Sequence, residues 1–111
     1  MTNRELADFK AKLGEWERKV HSYFLSQNIR QTAHSIVECC VDMETIIVPT
    51  TDVYVYLPDH MANNTGSKSI GQMVERGLLY VAEKNFKCRI IRLRMPQDPL
   101  WFNSFVIDDE K

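Results

Sequence analysis

The stretch Lys87-Cys88-Arg89-Ile90-Ile91-Arg92-Leu93-Arg94 decides the fold class, because the character of its side chains alternates along the chain. Ile91 and Leu93 share one parity, while Arg92 and Arg94 share the other. Such a period of two is typical of a strand with one dry face. The sequence therefore predicts that this run forms a strand in a sheet that is buried on one side.

A second run, Val53-Tyr54-Val55-Tyr56-Leu57, has the same alternation and predicts a second strand. If the aliphatic sides of both strands lie together, the opposite face of the sheet carries Tyr54, Tyr56, Arg92 and Arg94. Aromatic rings beside arginines are the residue types that bind single-stranded nucleic acid. Tyrosine and arginine side chains also pack on each other simply to cover a half-exposed sheet, so both readings stay open.

The N-terminal part of the chain predicts two helices. Apolar residues recur every three or four positions from Leu6 to Tyr23, which favours a helix over residues 3–26 with one buried stripe. A coiled-coil seam is the alternative interpretation of the same spacing. A second helix is expected from Arg30 to Val41, with Asn28 as its cap.

The rest of the chain predicts shorter elements. A β-branched run, 45–48, is expected to form a hairpin with the tyrosine strand, and residues 58–67 a polar loop. A third helix is predicted over 69–84, which Gly71 and Gly77 weaken locally, and close packing on the sheet is the alternative role of Gly77. The last strand is expected near 100–107, with residues 105–111 as a partly frayed acidic tail.

This order of elements, ααββαββ, predicts an α+β fold. We expect a two-layer sandwich with a mainly antiparallel four-stranded sheet and a long N-terminal helix. A chain of 111 residues with 44% hydrophobic residues suits one core, so residues 1–111 are predicted to form a single domain.

Composition limits the function classes. The net charge of −1 gives no global basic field for nonspecific nucleic-acid binding, so such binding needs a local patch. No apolar run approaches the ~20 residues of a membrane helix. Three cysteines without framework spacing suit reduced thiols. We therefore expect a soluble cytoplasmic protein without a membrane partner.

The segment Gly66-Ser67-Lys68-Ser69 is the candidate phosphate site. It enters the third predicted helix, where free backbone N–H groups, the helix dipole and Lys68 attract an anion. It is only a fragment of a phosphate loop, because Ser67 and Ala62 stand where that motif needs glycines. A capped loop without a ligand is the alternative.

A third candidate surface is Trp101-Phe102 on the last predicted strand. On a strand these two rings point to opposite faces, so one is hard to bury at a sheet edge, and exposed aromatics there often mark a protein contact. The alternative is that the N-terminal helix covers them. The sequence shows no catalytic or metal-ligating constellation, and we expect no cofactor.

These observations favour a small non-enzymatic binding or regulatory module that acts through protein–protein contacts, either by self-association as a homodimer or by inhibition of a partner protein. The alternative is a binder of a phosphate-bearing ligand, a nucleotide or single-stranded nucleic acid, through the tyrosine and arginine face or through the loop 66–69. A small hydrolase is a distant third hypothesis.

Overall fold

The computed structural model describes residues 1–85 and 88–95. Its helices and strands follow one another as α1 (Asn3–Tyr23), α2 (Gln27–Met43), β1 (Ile47–Pro49), α3 (Thr50–Val55), α4 (Asn63–Glu75), β2 (Leu79–Lys84) and β3 (Arg89–Leu93). Over these residues the chain mixes four helices with a three-stranded antiparallel sheet in the order β1-β3-β2. The predicted mixture of helix and antiparallel sheet is confirmed.

The predicted fourth strand is not shown. Of the four strands expected, the run at 53–57 instead continues α3 as far as Val55 and then turns, and the run at 100–107 lies outside the described residues. None of the helices in the described part of the chain has the length and apolar character to cross a membrane.

The helix α1 begins at a capping box. The Thr2 hydroxyl accepts from the Glu5 backbone N–H at 3.2 Å, and the Glu5 carboxylate accepts from the Thr2 backbone N–H at 3.3 Å. Its buried stripe is continued by Trp16, whose ring N–H donates to the Leu78 carbonyl oxygen at 2.8 Å. This bond ties the first helix to the residue that precedes β2, and the predicted helix over 3–26 is confirmed to within three residues.

The helix α2 begins earlier than predicted. The hydroxyl of Ser26, rather than the side chain of Asn28, caps it by accepting from the Ile29 backbone N–H at 3.4 Å. Ala33, Ile36 and Cys40 are fully buried along one face. The helix therefore packs its apolar stripe into the core, as the pattern predicts.

The tyrosine run is helical as far as Val55, which corrects the predicted strand and hairpin. In α3, Val53 is fully buried while Val55 is 80% exposed, so the two valines do not share a face. Val53 and Leu57, four residues apart, are the pair that turns inward. Pro49 precedes the helix. Asp52 lies in its first turn, where its carboxylate interacts favourably with the positive end of the helix dipole.

The third predicted helix, 69–84, is also wrong in its bounds. The helix α4 covers Asn63–Glu75, with Arg76 as its C-cap, and is followed by Gly77, whose φ is 81°. The Gly77 N–H donates to the Val74 carbonyl at 3.0 Å and the Leu78 N–H to the Met73 carbonyl at 3.0 Å. This pair of bonds is a Schellman ending, which needs a left-handed residue and so favours glycine. The chain then forms β2.

The central strand is β3, and its half-buried character is confirmed. Ile91 and Leu93 are fully buried and belong to one hydrophobic core with residues of α1, α2 and α4. Arg92, of opposite parity, pairs with Ile47 of β1 and Tyr80 of β2 on the other face. The sheet therefore has one dry side, and the end of its β2–β3 hairpin lies beside α3 and α4.

Candidate functional site

The predicted phosphate loop is not a helix entry. Because α4 begins at Asn63, Gly66 lies inside its first two turns, and the Gly66 backbone N–H donates to the Ala62 carbonyl at 3.2 Å. A Cβ on Gly66 would approach Leu57 Cδ1 to 2.7 Å, so this glycine serves close packing. The hydroxyl of buried Ser69 donates to the Thr65 carbonyl at 2.9 Å. The predicted position of this segment at a helix entry is therefore wrong, and anion binding by Gly66 and Ser69 stays a prediction.

Ser67 and Lys68 face a groove on the outside of the same helix. The groove has a volume of about 450 Å³ and lies where α3 and α4 meet the end of the β2–β3 hairpin. We call it the basic groove, and its described lining is Thr50, Tyr54, Ser67, Lys68, Lys84, Asn85, Cys88 and Arg89. Three residues of the predicted sites, namely Tyr54, Ser67 and Lys68, thus come together in one place.

Arg89 fixes the floor of the basic groove. Its Nη2 donates to the carbonyl oxygen and to the hydroxyl of Ser67, both at 3.1 Å. Its backbone N–H donates to the Thr50 hydroxyl at 3.3 Å. These bonds join β3 to α3 and α4, and they hold the guanidinium in one orientation while it keeps other N–H donors for a ligand.

Two lysines complete the positive charge of the basic groove. Lys68 and Lys84 are exposed, and neither makes an ion pair with another residue in the ranges 1–85 and 88–95. No aspartate or glutamate occurs among the described lining residues. Three cations in one cavity, in a chain of net charge −1, make a local positive potential that attracts anions.

Hydroxyl and amide groups surround these cations. Asn85 shapes the rim, because its backbone N–H donates to the Cys88 carbonyl and its side-chain oxygen accepts from the Cys88 N–H, both at 3.0 Å. Tyr54 adds an aromatic ring that is half-buried against the core. The groove therefore combines charge, hydrogen-bond donors and one ring.

Sequence reasoning missed the role of Lys84 and Arg89. Arg89 has the same parity as Ile91 and Leu93, so it is an arginine at the end of the dry side of the strand. That position was visible in the sequence as an exception to the alternation, and a charged residue there needs polar partners. The predicted helix over 69–84 includes Lys84, whereas the structure places this residue at the end of β2, beside the hairpin.

The tyrosine and arginine face has a different tyrosine from the predicted ones. Tyr54 and Tyr56 do not lie on the sheet, since α3 carries the first and ends just before the second. Tyr80 of β2 takes that place, and the guanidinium carbons of Arg92 and Arg94 lie 5.1 and 5.0 Å from its ring centre. Both arginines thus make cation–π contacts within the sheet.

Tyr56 is engaged elsewhere. Its hydroxyl donates to the Asp42 carboxylate at 2.8 Å. This hydrogen bond, with smaller effects from burial and nearby acids, raises the pKa of Tyr56 to about 12. Tyr56 is therefore bound to α2, and the four-residue sheet-face site is not assembled as predicted.

Trp101 and Phe102 lie outside the described residues, so the predicted protein interface on them stays a prediction. The described part of the chain shows a different apolar surface, where Val55 is 80% exposed and Met43 is 44% exposed. These two side chains line one shallow depression with Asp52 and Tyr56.

Within residues 1–85 and 88–95, no three histidine, cysteine, aspartate or glutamate side chains are grouped closely enough to hold a metal ion.

Comparison with known proteins gives no match to a family model, to a curated protein or to a solved structure.

Proposed function

We propose that this protein is a small binding module for a phosphate-bearing ligand, which it takes in the basic groove. The observation that carries the proposal is the meeting of Lys68, Lys84 and Arg89, from three different elements, in one cavity whose described lining has no carboxylate. Lysines and arginines that serve only to keep a protein surface hydrated do not need to line the same cavity.

The chemistry of the basic groove suits a phosphate group. The Nε–H and Nη1–H donors of Arg89 can bind phosphate oxygens while Nη2 is held by Ser67, whereas Lys68 and Lys84 add charge without a fixed geometry. Two hydrogen bonds to Ser67 hold the Arg89 guanidinium in place. Less ordering is then needed when an anion binds, which favours affinity.

Titration calorimetry with pyrophosphate and with ADP tests the proposal. We expect binding by the wild-type protein and at least a tenfold weaker affinity in Lys84→Gln and in Lys68→Gln. Lys10→Gln is the matched control, because it removes the same charge from an exposed position on α1 outside the groove. The proposal would be overturned if neither pyrophosphate nor ADP binds, or if the control Lys10→Gln weakens binding as much as the groove variants do.

The second candidate function is self-association or contact with a protein partner. It is supported by the neighbouring exposure of Val55 and Met43, since large exposed apolar side chains that cluster often mark protein contacts. Sedimentation velocity tests it: a dimer that dissociates in Val55→Ser supports it, and a monomer at all concentrations argues against self-association.

A further inference from the structure

The basic groove is larger than a phosphate group needs. Its volume of about 450 Å³ lies in the range of small-molecule sites, roughly 300–1,000 Å³. Its lining continues from the three cations to the ring of Tyr54 and the hydroxyls of Thr50 and Ser67. There is thus room and matching chemistry for an organic group attached to the phosphate.

In its described lining, the positive charge of the basic groove is confined to Lys68, Lys84 and Arg89, and the nearby arginines do not continue it along the surface. Arg92 and Arg94 point to the other side of the sheet from Arg89, and both stack on Tyr80. Arg30 donates to the carbonyl oxygens of Phe24 and His21 at 2.7 and 3.0 Å. A nucleic-acid strand needs a row of phosphate contacts along its backbone. Among the described residues, these arginines do not extend the groove into such a row.

We infer that the basic groove takes a mononucleotide-sized ligand, in which one phosphate or diphosphate group binds Arg89, Lys68 and Lys84 and a planar ring stacks on Tyr54. This inference rests on the proposed function, because it names the ligand class of the same groove. The charge of three cations matches one phosphate or diphosphate group, and the ring of tyrosine stacks on any base without reading its identity.

Three probes separate the parts of the ligand in a calorimetric titration, namely ADP, pyrophosphate and adenosine. We expect ADP to bind at least tenfold more tightly than pyrophosphate, and adenosine to bind at least a hundredfold more weakly than ADP. In Tyr54→Leu the ADP affinity should fall at least tenfold and by a larger factor than the pyrophosphate affinity. Tyr54→Phe keeps the ring and should restore ADP binding, which separates stacking from a loss of folding.

The outcomes distinguish this inference from the proposed function. Equal binding of pyrophosphate and ADP would overturn the ring contact and leave phosphate binding in place. A single-stranded oligonucleotide whose affinity rises with its length beyond one nucleotide would also overturn the inference. If neither ADP nor pyrophosphate binds, the proposed function itself fails.

Discussion

The Arg89 guanidinium and Ser67 are joined by two hydrogen bonds, since one Nη2 donates to both the carbonyl oxygen and the hydroxyl of the serine at 3.1 Å. The two residues are 22 positions apart in the chain. They connect the first residue of β3 to the outer side of α4. This contact both closes the fold at the hairpin end and orients the cation that faces the groove.

Replacing Arg89 by lysine tests this double role. Because lysine lacks the planar fork, Arg89→Lys should lose the geometry of both bonds while it keeps the charge. We expect a loss of about 1 kcal/mol in the free energy of unfolding in urea. Pyrophosphate affinity should fall at least tenfold. Arg4→Lys, at an exposed position in α1, is the control and should change neither quantity. An Arg89→Lys protein with unchanged affinity would show that charge alone suffices.

The sequence predicted the general class of the fold for identifiable reasons. The alternation at 87–94 and the three-to-four spacing of α1 are both periodic signals over many residues, and both elements are present. The strand predicted over 53–57 is wrong because this run fits two periods. Its valines and tyrosines alternate as in a strand, but Val53 and Leu57 are also four residues apart, which fits one turn of a helix equally well. Short runs do not separate the two periods.

The basic groove was less predictable because it is a tertiary assembly. Thr50 and Arg89 are 39 positions apart, and only the folded chain brings them together. The local pattern points to Ser67 and Lys68 as residues of a helix entry, but the helix begins earlier, at Asn63. Arg89 has a different kind of sequence signal, because it is a charged residue with the same parity as the buried Ile91 and Leu93.

Gly77, after the end of α4, and Gly71, within the helix, should respond oppositely to replacement by alanine. Gly77 adopts a φ of 81°, which strains any residue with a Cβ, so Gly77→Ala should destabilise the protein by about 1 kcal/mol. Gly71 lies within the helix, and a Cβ there would meet nothing within 4 Å. Gly71→Ala should therefore stabilise by about 0.5–1 kcal/mol, through helix propensity. Urea denaturation of both variants measures the difference, and shifts of the same sign would contradict this account of the helix end.

The three cysteines should differ in reactivity toward a thiol reagent such as dithionitrobenzoate. Cys88 is half-buried and lines the basic groove, whereas Cys39 and Cys40 are fully buried. Burial, helped by Asp52 and Asp42, raises the pKa of Cys39 to about 11, which disfavours the reactive thiolate. We expect one fast equivalent in the folded protein and three after denaturation.

Cys88 also reports on occupancy of the basic groove. Saturating ADP should slow the fast reaction severalfold in the wild-type protein, and Cys88→Ser should abolish the fast phase. A fast phase that persists in Cys88→Ser would place the reactive thiol elsewhere. If ADP no longer protects Cys88 from the reagent in Lys84→Gln, the thiol lies at the same anion site as Lys84. If ADP protects Cys88 equally well in this variant, the thiol and the anion site are separate.

The stability of the protein should decline at alkaline pH because of Cys40. Burial, with a smaller contribution from Cys39, raises the pKa of the Cys40 thiol from 9.0 to about 12. Above pH 9 the unfolded chain therefore loses this proton while the folded chain keeps it, so the unfolded state binds fewer protons and stability falls as pH rises. The contribution of Cys40 is complete below pH 9 and is lost progressively toward pH 12.

The slope of the free energy of unfolding against pH distinguishes the contribution of Cys40 from those of other titrating groups. One titrating group changes the free energy of unfolding by at most about 1.4 kcal/mol per pH unit. Urea denaturation at pH 8, 9 and 10 should show a steeper decline for the wild type than for Cys40→Ala, although the variant is less stable at pH 8 because it leaves a small cavity. Identical slopes in the two proteins would mean that Cys40 is accessible to ionisation in the folded state, against its full burial in α2.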